Sequence, residues 1–260
     1  MDQIDKLAAW STQNVQEETL VAVKKYIPAG KTILELGAGT GRLSVMLKDA
    51  GYQITAGDWN SDQFVPKNIE CHQVDCDDSA WLAREFGARR YDAIVCGDLI
   101  EHLKNPFRFI ETISGFLTRE NNGGYLFVTT PNILSPQSRS NLLVNGNPLS
   151  FGSGGLEMGH INPMFPNTMK IAFRSASLEC LDVIGVGKAG WLGEKSYRGF
   201  CLSLITTAWR TMMRRVIHSP VLLFVGRVSA SSMPLTGTPI GTGKPGHYSS
   251  NAVSSHTAAS

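Results

Sequence analysis

The stretch ILELGAGTGRLS, residues 33–44, decides how this chain is read. An apolar run from Ile33 to Leu36 leads without a spacer into Gly37, Gly39 and Gly41 at alternate positions, and a helix-forming segment follows at once. A strand, a glycine turn and a helix in that order set backbone N–H groups and a helix N-terminus against a bound ligand. The spacing argues against two ligand classes. A dinucleotide loop needs G-x-G-x-x-G or G-x-G-x-x-A, and the sixth position is Arg42 counted from Gly37 and Ser44 counted from Gly39. A P-loop needs G-K-S or G-K-T at its end, and none follows.

Outward from this stretch, short apolar runs alternate with helix-like segments. A leading helix is expected from about Val15 to Ile27, and the runs TILELG, QITAGD, ECHQVD, DAIVCGD and GYLFVTTP have strand length and β-branched or aromatic content. Between them Arg42 to Ala50, Ser79 to Phe86 and Asn105 to Leu117 read as helices. The alternation predicts a mostly parallel sheet with helices on both faces. Residues 132–163, rich in Asn, Ser, Gly and Pro, are too long for an ordinary connection and read as a functional loop or cap. A helix near Pro166 to Ser177, a strand from Leu178 to Val186, an insert over 187–219 and a last strand-like run PVLLFVGRVS complete a single domain over residues 1–230. Residues 231–260 are dominated by Ser, Gly, Thr and Pro and read as a disordered tail.

Composition narrows the partners. Hydrophobic residues make up 42% of the 260 and charged residues 18%, the profile of a packed globular chain. A formal net charge of +2, with no tract gathering Lys and Arg before residue 210, argues against nucleic acid as a partner. The five cysteines include no C-x-x-C and read as reduced thiols of a cytoplasmic protein. The first residues lack the basic and apolar regions of a secretory signal. No run of about 18 uncharged apolar residues is present, because Arg210, Arg214 and Arg215 interrupt the most apolar region. Within it Leu202, Ile205, Trp209, Met212, Met213, Val216 and Ile217 fall on one helical face, opposite Arg210, Arg214 and His218. This amphipathic helix over 202–218 either packs on the domain or lies on a membrane surface or lipid-like acceptor.

Two acids extend the reading of the glycine loop. Asp58 ends the run QITAGD, where a carboxylate can accept from both ribose hydroxyls of an adenosine ligand. Asp75 ends ECHQVD, although Asp75, Asp77 and Asp78 are each placed to cap the following helix instead. The pattern E-x-G-x-G-x-G, carried by Glu35, Gly37, Gly39 and Gly41, with these acids in order behind it, resembles motif I and its sequel in the class I S-adenosylmethionine (SAM) dependent methyltransferases. The segment YDAIVCGDLIEHLKNP is similar to the corresponding part of members that act on small molecules, including those of ubiquinone biosynthesis. The resemblance covers roughly residues 27–186 and implies a doubly wound, seven-stranded Rossmann-like sheet with an antiparallel last strand. It also implies SAM as cofactor, held by Glu35, the loop Gly37, Ala38, Gly39 and Gly41, Asp58 on the ribose, Trp59 against the adenine, Asp75 and Cys76 at the adenine edge, and Cys96 and Gly97 beside the methionine end.

Methyl transfer from a sulfonium is a direct displacement that requires alignment and exclusion of water. A hydroxyl acceptor also benefits from a base. His102, after the fourth strand, and His160, at the end of the long loop and similar to the H-x-N element of related enzymes, are the candidate bases; either is equally readable as a structural histidine. Neither Glu101 with His102 nor Glu157 with His160 has a recognised metal spacing, so no metal is expected. The tetrapeptides N-P-P-Y and D-P-P-Y of amino-group methylation on nucleobases and glutamine are absent. The expected reaction is transfer of a methyl group to a small-molecule or lipid- or glycan-linked acceptor, at a hydroxyl oxygen. The alternatives are a non-catalytic SAM-binding regulatory or partner protein and, further off, a nucleotide-dependent oxidoreductase.

Overall fold

The computed structural model describes residues 14–120, 123–152, 154–155, 159–188 and 218–228. Seven strands form one sheet: β1 (Thr32–Leu36), β2 (Gln53–Asp58), β3 (Glu70–Gln73), β4 (Ala93–Cys96), β5 (Tyr125–Pro131), β6 (Leu178–Val186) and β7 (Val221–Val228). Their order is β3-β2-β1-β4-β5-β7-β6. All neighbours from β3 to β5 pair in parallel, and β7 enters antiparallel between β5 and β6. The expected doubly wound sheet with one reversed strand is the observed one.

Each strand of the sheet centre is apolar on both sides because helices cover both faces. Along β1, Ile33 points to one core, and Leu34 and Leu36 to the other. Helices α1 (Val15–Tyr26) and α2 (Arg42–Asp49) cover the first face through Val23, Leu43 and Leu47. On the second lie α3 (Ser79–Phe86), α4 (Pro106–Ser114) and a helix at Pro166–Ser175, through Phe86, Phe109 and Phe173.

The region read as a loop, 132–163, contains a helix, α5 (Pro136–Asn145), which makes Pro166–Ser175 α6. Ser135 caps α5 by accepting from the Ser138 N–H at 3.2 Å, Pro136 stands at its first turn, and Gly146 ends it at φ 75°. These signals are in the sequence, but α5 buries only Pro136 and Ser138, so it carries no apolar stripe from which a helical period is legible. The amphipathic helix expected at 202–218 lies outside the described residues except for His218, as do the tail and Glu157. The described ends of the 187–219 insert do have an address. Val186 and Val221 pair with each other, Val221 pairs with Pro131 at the carboxyl end of β5, and Asn132 donates to the Ser219 and Pro220 carbonyls at 2.8 and 2.7 Å. The insert therefore leaves and re-enters at the edge of the sheet where the 132–163 segment begins.

Candidate active site

The carboxyl ends of β1, β2 and β4 converge with the turns after them, the region where an open α/β sheet binds its ligands. Gly37, Gly39 and Gly41 all have positive φ, at 76°, 54° and 86°. At Gly41 a Cβ would stand 2.6 Å from Pro66 Cδ and 2.7 Å from Phe64, so the loop is pressed under the 64–66 strap as well as turned. The Arg42 guanidinium, at the start of α2, reaches back to α1, donating to Gln16 at 2.7 Å and Glu17 at 2.5 Å. The first turn of α2 carries no side-chain cap, which leaves its N–H groups facing the loop.

Asp58, at the end of β2, is turned onto this loop. One carboxylate oxygen accepts the Gly39 N–H at 2.8 Å, and the other accepts from the Asn60 N–H at 2.9 Å and Gln63 Nε2 at 3.2 Å. A carboxylate has roughly four acceptor positions, so about one remains. Accepting both hydroxyls of a ribose requires Gln63, the longest of the three bonds, to yield. Glu35 lies beneath the loop, fully buried, with the Ser44 hydroxyl donating to it. Burial, with a smaller contribution from the Asp58 charge, pushes its carboxyl up to about 8.

The three acids in the turn after β3, Asp75, Asp77 and Asp78, divide their work. Asp78 caps α3, accepting from the Ala80 and Trp81 N–H groups. Asp77 accepts from the Lys104 N–H at 2.8 Å and so ties the turn after β4 to the turn after β3. Asp75 uses one oxygen on the Asp77 N–H and is the acid left beside buried Cys76. Trp59, next to Asp58, is 64% exposed, a flat apolar surface at the mouth of the site. Cys96 is fully buried at the end of β4, and Gly97 follows it.

Beyond Gly97 the chain enters a left-handed residue that the sequence reading passed over. Asp98 has φ 46°, its N–H donates to Thr129 Oγ1 at 2.9 Å, and the same hydroxyl donates to its carboxylate at 2.8 Å. The signal available was an acid directly after a strand-ending glycine, the place where β4 meets the ligand side of the sheet. Burial raises the Asp98 carboxyl, while Thr129 and the nearby His160 act against the rise. Leu99 then packs on Gly37, so the β4 turn and the glycine loop touch.

A short 3-10 turn, Ile100–His102, follows, and here the two candidate histidines meet. The His102 and His160 rings lie edge to face with centroids 4.6 Å apart. His160 is 58 positions further on, and backbone bonds hold the two segments together. The Ile161 and Asn162 N–H groups both donate to the Glu101 carbonyl at 2.9 Å, and the Asn162 amide donates to the Leu103 carbonyl. Phe151 closes on the other side of His160, at 5.7 Å. His160 Nδ1 is 2.9 Å from the Ser150 carbonyl. A carbonyl only accepts, so Nδ1 carries the proton and, when the ring is neutral, Nε2 is the nitrogen with the lone pair. Glu101 sits between the histidine segments, 0% exposed, and neither carboxylate oxygen has a hydrogen-bond partner of ordinary geometry. Burial and the Asp98 charge push its carboxyl well above the usual carboxylate range.

The comparisons with known proteins agree with this architecture. A family described as a methyltransferase domain matches residues 9–183. The chain belongs to that family. The ubiquinone biosynthesis O-methyltransferase of Coxiella burnetii is 34% identical over 109 residues, covering 40% of this chain and 44% of that protein. The corresponding protein of Paraburkholderia phytofirmans is 28% identical over 109 residues, 40% and 46% of the two chains. The chain thus spans under half the length of the curated relatives it matches. Among solved structures, a SAM dependent methyltransferase from Archaeoglobus fulgidus superposes with a TM-score of 0.55 at 15% identity, over 82% of this chain and 94% of that one. At such identity the likeness shows the fold alone. This methyltransferase domain is of the SAM-dependent kind, as the E-x-G-x-G-x-G loop and the acid at the end of β2 imply.

Proposed function

We propose that the protein transfers the methyl group of SAM to a hydroxyl oxygen of a small-molecule or lipid- or glycan-linked acceptor. The cofactor lies along the carboxyl ends of β1, β2 and β4. Asp58 takes a ribose hydroxyl, Trp59 covers the adenine, and Asp75 with the Cys76 N–H reads its edge. Glu35 beneath the loop and the Gly37, Ala38, Gly39 and Gly41 backbone line the cofactor, with Cys96 and Gly97 at the methionine end. The acceptor approaches between the β4 turn and the 132–163 segment. A membrane-peripheral location, through the 202–218 segment, suits a lipid-linked acceptor and otherwise the cytoplasm is the expected site of action.

The observation that carries this reading is the His160 imidazole. Its Nδ1–H is engaged by the Ser150 carbonyl, so Nε2 holds the lone pair of a ring packed against His102, on the turn that packs against the glycine loop. That is the equipment for activating a hydroxyl beside a SAM methyl group. As the acceptor O–H loses its proton to the site, the oxygen bonds the methyl carbon and the carbon–sulfur electrons return to sulfur, leaving S-adenosylhomocysteine. The buried Phe151 and Met164 on the acceptor side exclude water from the approach.

Turnover of methyl-labelled SAM against a panel of quinol, glycan and lipid acceptors tests the reading, with calorimetric titration of SAM and NAD(H) alongside. SAM binding with label in one acceptor class supports it. Tight SAM binding with no product in any class supports the non-catalytic alternative, and NAD binding without SAM binding sinks both. Oxygen is the acceptor atom favoured here because a hydroxyl needs the proton acceptor that His160 supplies; product mass and alkali stability separate it from nitrogen and carbon.

A further inference from the structure

We propose that Glu101, His102 and His160 form a site for one borderline divalent cation of the zinc type. One donor atom from each of the three lies within 4.8 Å of those of the other two. With metal–ligand bonds of about 2.0–2.2 Å, donors on a tetrahedral ion stand about 3.3–3.6 Å apart, so side-chain adjustments of about an ångström close the set.

Three independent features point to a cation at this place. The first is Glu101, whose two oxygens are buried and unpartnered, with Asp98 and the Thr130 hydroxyl as polar neighbours. A buried polar group normally finds a partner, because leaving it without one costs about 1–3 kcal/mol, and more for a charge. A divalent ion supplies the missing partner to both oxygens and neutralises the paired acids. The second is the His160 tautomer. A ligating imidazole characteristically donates its remote N–H to a carbonyl or carboxylate, and the Nδ1–H to Ser150 does this while leaving Nε2 as the nitrogen that can bind an ion. The third is preorganisation: the two N–H bonds onto the Glu101 carbonyl hold the His160 segment against the Glu101–His102 turn.

Two imidazoles and one carboxylate are a donor set suited to zinc and its first-row neighbours, and three protein ligands leave a coordination position open. Resting on the function proposed above, that open position takes the acceptor hydroxyl. The ion lowers its pKa, the proton leaves to solvent, and the oxygen attacks the methyl carbon as the carbon–sulfur bond breaks. With the ion bound, His160 promotes loss of the acceptor proton as a ligand of that ion in place of accepting the proton itself, and Glu101 becomes as necessary as either histidine.

The experiment uses the full chain stripped of metal by chelator and titrated with Zn²⁺ by calorimetry, with circular dichroism as the fold control. One equivalent binding at or below micromolar Kd is expected, weakened at least tenfold in Glu101→Gln and in His102→Asn. Co²⁺ loaded in place of Zn²⁺ is expected to give ligand-field absorption that disappears in both variants. Should either variant lose its fold, the Co²⁺ spectrum of the wild type carries the test through its imidazole signature. Absence of stoichiometric binding in the folded wild type, or binding of equal strength in folded Glu101→Gln, overturns the site. Methyl transfer undiminished in the stripped enzyme overturns the role toward the acceptor. Zn²⁺ binding without any methyl transfer sinks the proposed function and leaves the cation site standing.

Discussion

The cofactor half of the site and its acceptor half are built at different ranges along the chain. Asp58 reaches Gly39 across 19 positions, within one strand–helix–strand unit. The acceptor half is closed by the Asn162 bond to Leu103, across 59 positions, and by the Asn132 bond to Ser219, across 87. The first needs only the local geometry of a glycine turn and a neighbouring parallel strand. The second exists only once β4, β5 and β7 are side by side. A site made this way can keep its donor while its acceptor changes, because the acceptor's walls are loops and a helix added at the sheet's carboxyl edge.

Substitutions that fall on one half and spare the other test this division. The largest effect is expected at His160. His160→Ala should lower kcat by about 10²- to 10⁴-fold, the range for a group that takes the acceptor proton directly or, as ligand of the cation proposed above, promotes its loss, while the Kd for SAM measured by calorimetry stays within twofold. A matching loss of SAM affinity would merge the two halves. Gly41→Ala should act on the other half. A left-handed non-glycine costs about 1–2 kcal/mol and the collision with Pro66 and Phe64 about 1–3 more, so SAM binding should fall below detection and Tm should drop by several degrees.

Asp58→Ala should weaken SAM binding by about 2–3 kcal/mol, on the scale of hydrogen bonds to a charged group. Part of that loss comes from releasing Gly39, so Asp58→Asn, which still accepts from one N–H, should recover some affinity; an alanine variant of unaltered affinity would remove Asp58 from the cofactor site. A smaller effect is expected from pH. The Glu35 carboxyl is raised from an ordinary 4.5 to about 8, so the folded chain favours its protonated form. The stability it contributes is fully present below about pH 4.5 and is lost as pH rises through about 8. Glu35→Gln should flatten the fall of Tm between pH 5 and pH 8, and a profile as steep as wild type would place the titration elsewhere. The smallest effect is expected at Leu143, 87% exposed on α5, where Leu143→Ser should change stability by no more than about 0.5 kcal/mol. A larger fall in Tm would mean that another part of the chain covers α5.

Particular elements mark where sequence reading succeeded. β2 and β6 run over the expected residues because their apolar runs are bounded by turn residues, and α3 begins where expected because Asp78 caps it. Among Asp75, Asp77 and Asp78, though, the sequence left open which one caps. Asp77 was decided by Lys104, a partner 27 positions away that no local pattern announces. The helix α5 went unread for a related reason: its own caps were visible, but with hardly any buried face it showed no period.

The donor side was therefore written into the chain itself. Alternate glycines, the acid two residues ahead of them and the acid at the next strand end are short-range features: local physics makes them a ligand-binding turn under a helix N-terminus, and their resemblance to the family's motif implies SAM as its occupant. The pairing of His102 with His160 around a buried, unpartnered Glu101 was decided only by tertiary structure. Its two histidines lie 58 residues apart, and neither their spacing nor their residue types distinguish ligand, base and core residue until folding has removed water from the carboxylate and fixed which imidazole nitrogen holds the proton.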